Sequence, residues 1–242
     1  MRNIPRNAPF RAHGFSLIHA LVTVGVLAVL TAVLIPVFLN LRENSRRAAC
    51  VGNLRALGQG LELYAAEHRG RLPVVEPVGL SPWDVSVNVI EALTSRGVRK
   101  EHFYCPSGPV EATDHYWNFH VQGEDGRWRN LFRIITYVPL LEGTPRVLHE
   151  FTNATALPLV RESEVPSDRE LVIDVVMSAT GGRHGSFSAR TIGGHEVPDR
   201  TSHLKGDRPA GGNILFLDGH IAWRDFEDMD DTKIHGVPVF WW

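Results

Sequence analysis

The sequence predicts an α+β protein: a long N-terminal helix whose distal half packs against an antiparallel sheet. Three observations carry the expectation. The run from Phe15 to Leu41 contains no acidic residue and no Lys or Arg. An amphipathic stripe continues from it as far as His68. After Pro73 the chain changes to short β-rich runs separated by Gly, Pro and Asp turns.

The bulk numbers are compatible with this. The chain has 242 residues, 43% hydrophobic and 21% charged, with a net charge of -2. That is globular composition, and roughly 170 residues beyond the apolar run suffice for one core. Near-neutral charge gives no basic footprint for nucleic acid, so none is expected as a partner. The chain contains no GxxxxGK, no GxGxxG and no GxSxG, which removes three common enzyme signatures.

The apolar run comes first. As a helix its roughly 27 residues reach about 40 Å, more than a bilayer core needs. A secretory signal has an apolar region of only about 7–15 residues before its cut site. The run is therefore read as a membrane anchor, residues 15–41. Arg2, Arg6 and Arg11 precede it, and Arg42, Arg46, Arg47 and Arg55 follow it. Flanking charge alone leaves orientation open.

The helix continues through residues 42–69. Val51, Leu54, Gly58, Leu61, Ala65 and His68 recur at 3-4 spacing, with Leu57 and Tyr64 beside them. Arg69-Gly70 and then Pro73 supply the stop. The whole helix is expected to be about 80 Å long. Pro36 should kink or locally melt it. Gly52, Gly58 and Gly60 each cost roughly 1 kcal/mol relative to Ala; close approach of a sheet or another subunit is the expected compensation.

A head over residues 70–242 follows. A short helix is expected from Ser81-Pro82-Trp83-Asp84 to Arg96-Gly97, and strands over His115–Val121, Phe132–Val138 and Leu171–Val176. Gly181–Gly212 reads as a long loop. In GGNILFLDGHIAW, strands Asn213–Leu217 and His220–Arg224 flank Asp218-Gly219, a pair suited to a type I′ turn. The segment from Val237 to Trp242 is apolar enough to pack on the sheet or the helix.

These pieces carry a resemblance. A basic leader ends in Gly14, followed by Phe15-Ser16-Leu17-Ile18, with Pro36 at the twenty-second position from Phe15. This resembles the cleavage and methylation signal of type IV prepilins and type II secretion pseudopilins. The segment RRAACVGNLRALGQGLELYAAEHRGRLP, the FYCPSG turn and the FLDGHIAW hairpin are similar to large pseudopilin-like families. The likeness covers both ends well and residues 110–200 weakly.

The resemblance implies a pilin-like fold and a structural, non-enzymatic role without cofactor. It implies that a prepilin peptidase removes residues 1–14 between Gly14 and Phe15. It implies that Phe15, position 19 and Pro36 serve assembly with other pilin subunits through the helix. The head then lies in the periplasm or on an extracellular filament, anchored in the inner membrane. One residue departs from the pattern: His19 stands where the family has glutamate. A glutamate neutralises the new α-amino group of a neighbouring subunit, which a histidine cannot do. In the family, a subunit lacking that carboxylate is a minor one placed at the tip; a tolerated His19 without an assembly role is the alternative.

Two further expectations concern side-chain chemistry. In an oxidising periplasm, Cys50 and Cys105 pair in a disulfide; two separately buried thiols are the alternative. The rival functional class is a tethered binding protein or metal-dependent enzyme. Its candidate ligands are His184, His195, His203, Asp218 and His220, residue types that suit zinc. No HExxH supports it, and Asp218 is already used by the turn with Gly219.

Overall fold

The computed structural model describes residues 17–108, 113–123, 125–154, 168–178, 185, 187, 191–192, 198–199, 201–234 and 239–242. The chain forms two compact units, Met1–Arg42 and Glu43–Trp242, and helix α1 (Leu17–Glu67) contributes to both. The class is mixed, a long apolar-to-amphipathic helix plus antiparallel sheets, compatible with the α+β expectation.

In the first unit, Leu17–Ile35 is long and apolar enough to cross a membrane, and none of that window is buried. Helical backbone satisfies its own N–H and C=O groups, which is what a hydrocarbon environment demands. Thr23 and Thr31 turn their hydroxyls back onto the carbonyls of His19 and Leu27, at 2.7 and 2.8 Å. The helix runs unbroken through Pro36, so the anticipated local melting does not occur there.

In the second unit, α1 buries Cys50, Leu54, Leu57, Leu61 and Ala65. The predicted stripe was slightly rotated: Val51 is half-buried and His68 is exposed, its ring stacked on Tyr64 at 3.8 Å. Two of the three glycines are explained by close approach. A Cβ on Gly58 would meet Leu215 at 3.2 Å, and one on Gly60 would meet Val98 at 2.5 Å and Leu93 at 3.2 Å. A Cβ on Gly52 would meet nothing within 4 Å. The helix stops as expected: Arg69 takes φ 57° and Gly70 N–H donates to the Ala65 carbonyl at 2.8 Å.

The central sheet has the order β7-β6-β4-β3, all antiparallel. Its strands are β3 (Tyr137–Pro139), β4 (Glu170–Asp174), β6 (Gly211–Phe216) and β7 (Ile221–Asp225). Every residue of β6 is buried. Its hairpin with β7 pairs Gly211 with Asp225 and Leu215 with Ile221. A second ladder joins β1 (Asp84–Ser86) to β2 (Phe132–Ile134), and a third joins β5 (Met177–Ser178) to β8 (Val239–Phe240).

Several expectations are corrected. Ser81–Asp84 is not a helix start. The Asp84 carboxylate accepts from the N–H groups of Leu80 and Ser81, at 2.9 and 2.8 Å, and holds a turn. Strand β1 follows, and helix α2 begins only at Val87, ending at Thr94. His115–Val121 is mostly not a strand: Thr113–Trp117 forms the short helix α3, and only Val121–Gln122 pairs as strand. Its aromatic residues favour β structure intrinsically, but Tyr116 is buried in the core from a helical turn. Phe132–Val138 is two strands serving different sheets, divided where Ile135 N–H donates to Trp83 and Thr136 N–H to Phe103.

The Asp218-Gly219 turn is not type I′. Gly219 has φ 86°, while Asp218 is not among the positive-φ residues. Gly219 N–H donates to Phe216 O at 3.0 Å, and Phe216 N–H to His220 O at 2.9 Å. This is a three-residue loop, a tight turn followed by a left-handed glycine. The terminal aromatic residues do pack on the sheet: Phe240, Trp241 and Trp242 are buried, and Trp242 Nε1 donates to Glu170 at 2.6 Å.

Candidate functional site

A buried cluster assembles from four separate parts of the second unit. Cys50 and Glu43 come from α1, seven residues apart and so on one face of the helix. Cys105 follows a single 3-10 turn, Lys100–Phe103. Asp174 ends β4. His203 lies just before the Leu204–Lys205 strand of a small hairpin with Arg208–Pro209.

Cys50 and Cys105 are joined by a disulfide with Cα atoms 5.3 Å apart, well inside the range such a bridge requires. Both are fully buried. The CPS turn serves the cluster twice. Thr136 Oγ1 accepts from the Cys105 backbone N–H at 2.5 Å, and the Ser107 hydroxyl lies 3.5 Å from Glu43 Oε2.

His203 is fully buried and has φ 53°, a left-handed conformation uncommon outside glycine. Its neighbours hold it there. Ala210 N–H donates to the His203 carbonyl at 2.9 Å, closing the hairpin, and Ser202 N–H donates to Val175 at 2.9 Å. Thr201 Oγ1 accepts from the Met177 N–H at 3.0 Å. The ring is thereby fixed with Nδ1 2.8 Å from Glu43 Oε1 and Nε2 3.2 Å from Asp174 Oδ2. Nε2 is also 3.4 Å from Cys105 Sγ. Trp223 meets the imidazole edge-on at 5.3 Å, and the Arg47 guanidinium lies 3.7 Å over Trp223.

The Asp174 carboxylate is fully buried and half satisfied. Oδ2 accepts from Asn213 N–H at 2.7 Å and from Asn213 Nδ2 at 2.9 Å. Oδ1 has no hydrogen-bond partner among the described residues. Such an orphan costs about 1–3 kcal/mol and needs a reason. Beside it Tyr137, paired with Asp174 across β3 and β4, has its phenol pushed well above the ordinary value. Burial is the main cause and the Asp174 charge adds to it, while Asn53 opposes.

Charge balance centres on His203. Burial alone would lower its pKa, but the hydrogen bonds and charges of Asp174 and Glu43 outweigh burial and hold it above the usual imidazole value. With the disulfide closed, the His203 imidazole is clamped between two carboxylates. Geometrically it also collects donors: one ligand atom from each of Cys50, Cys105, Asp174 and His203 lies within 4.8 Å of the others.

The sequence-predicted residues fare unevenly. Gly14, Phe15, His184 and His195 lie outside the described residues. His19 is exposed on α1. Among the described members of the candidate metal set, Asp218 and His220 do not join His203. Asp218 and His220 are exposed at the hairpin turn and bond to each other at 2.5 Å, with the His220 ring stacked on Phe216. His203 instead joins the two cysteines. Asp174, Glu43 and Asn213 were missed. For Glu43 a signal existed in its spacing from Cys50; Asp174 fell inside the expected Leu171–Val176 strand.

Comparison of the chain with protein-family models, with curated proteins and with solved structures gives no match.

Proposed function

We propose that the protein is a pilin-like subunit, inserted in the inner membrane through α1 and cleaved between Gly14 and Phe15 by a prepilin peptidase. Residues 42–242 then lie outside the cytoplasm, and subunits associate through their N-terminal helices into a pilus or secretion-type filament. The observation that carries this reading is the Gly14-Phe15 junction placed directly before a run free of Asp, Glu, Lys and Arg from Phe15 to Leu41. The uncovered apolar surface of Leu17–Ile35 supports it: such a surface needs lipid or the helices of other subunits.

His19 favours a specialised place. Without a carboxylate at this position the subunit cannot neutralise a neighbour's α-amino group, which suits a minor or tip-located subunit. The same residue supports a second reading, a tethered surface protein that stays out of filaments. Processing and assembly separate the two. Gly14→Val should block conversion to the shorter form when the peptidase is co-expressed. The wild-type chain should co-sediment with filaments; a processed chain found only in the membrane would favour the tethered protein.

A further inference from the structure

We propose that the reduced protein binds one Zn2+ through Cys50, Cys105, Asp174 and His203, so that this cluster exchanges a disulfide for a metal centre. The proposal does not rest on the pilin reading.

The donor set is the first argument. Two thiolates, an imidazole and a carboxylate form a four-ligand, closed set of the kind that structural zinc sites use. The spacing is the second. For zinc–nitrogen and zinc–oxygen bonds of about 2.0 Å and zinc–sulfur bonds of about 2.3 Å, tetrahedral geometry places N and O about 3.3 Å apart and N and S about 3.6 Å apart. His203 Nε2 is 3.2 Å from Asp174 Oδ2 and 3.4 Å from Cys105 Sγ. Two edges of the tetrahedron are thus already in place. The remaining ligand pairs lie within 4.8 Å, and the bonded sulfurs must part to about 3.8 Å.

The surroundings are the third argument. A zinc-bound histidine usually gives its other ring N–H to a carboxylate, which fixes the tautomer. Glu43 does this for Nδ1 at 2.8 Å, leaving Nε2 for the metal. Asn213 orients Asp174 by two bonds to Oδ2, the oxygen that faces His203 Nε2.

The chemistry balances. A dithiol reductant gives two electrons and two protons to the Cys50–Cys105 bond; its own sulfurs become a disulfide, and two thiols form here. Zinc binding then releases both thiol protons, and the Nε2 proton of a cationic His203, to solvent. An oxidising disulfide reverses the exchange and releases the metal.

The test uses the full chain in detergent. One sample stays oxidised; the other is reduced with a thiol-free phosphine under argon. Each is given Zn2+, freed of excess and analysed for metal, with Co2+ as the optical probe. The expected result is one zinc per reduced chain, none per oxidised chain, and a thiolate-to-cobalt charge-transfer band only in the reduced sample. His203→Ala should abolish the band. Glu43→Gln, which keeps every ligand, should weaken zinc binding about 10–100-fold. Asp218→Ala/His220→Ala should leave binding unchanged. Failure of the reduced protein to retain zinc, including through unfolding on reduction, overturns the proposal. So does full zinc retention in His203→Ala, which would place the ion elsewhere.

Discussion

His203 Nδ1 lies 2.8 Å from Glu43 Oε1, across 160 positions of sequence. This contact ties the segment before the terminal hairpin to the base of the head's helix. The disulfide ties the CPS turn to the same helix face seven residues later. The head is therefore clamped onto α1 at Glu43–Cys50 by one ionic and one covalent link.

The covalent link closes a loop with a sequence separation of 55. In the chain-entropy model that is worth about 4 kcal/mol. Reduction in the presence of a metal chelator should lower the free energy of unfolding by roughly that amount. Denaturant titration of oxidised and reduced protein measures it. Equal midpoints would mean that the bridge adds no stability.

The ionic link predicts a pH dependence of the disulfide-bonded protein. His203 has a folded pKa raised above its unfolded one, so its stabilisation is complete below the ordinary imidazole value. It is lost as pH rises through the raised value. Stability should therefore fall across that window, and His203→Gln should remove the fall. Thermal unfolding at a series of pH values reads both; a slope unchanged in His203→Gln would locate the effect elsewhere.

The glycines of α1 should respond in opposite directions. Gly52→Ala meets open space and should stabilise by up to about 1 kcal/mol through helix propensity. Gly60→Ala meets Val98 at 2.5 Å, a stiff β-branched neighbour, and should destabilise by about 1–3 kcal/mol. Chemical denaturation of the two variants decides it; stabilisation by both would show that Val98 yields freely.

These cases show what was legible. Local rules found the apolar helix, its stop at Arg69-Gly70 and the terminal hairpin, because each is written in neighbouring residues; the cysteine pair followed instead from the even cysteine count and the expected compartment. They failed on Thr113–Trp117, where burial of Tyr116 overrides the β preference of an aromatic run. They failed on the hairpin turn, where Asp-Gly fits two loop types and Phe216–His220 pairing selects one. Cys105 and His203 are 98 positions apart, and their meeting depends on the order β7-β6-β4-β3. No spacing rule reaches that far, so the sequence reading placed His203 with Asp218 and His220 and not with the two cysteines.

Filament incorporation should depend on position 19. His19→Glu restores the carboxylate that the pilin resemblance implies, and it should increase the share of subunit recovered in filaments. Quantitative immunoblotting of sheared filaments measures this. An unchanged share would mean that His19 has no assembly role.

The most direct test of the proposed function is the intact mass of the N-terminal peptide from the membrane-extracted protein. The account predicts a chain that begins at Phe15 and carries one extra methyl group on its α-amine. A chain that retains residues 1–14, or one cut within the apolar run, would contradict it.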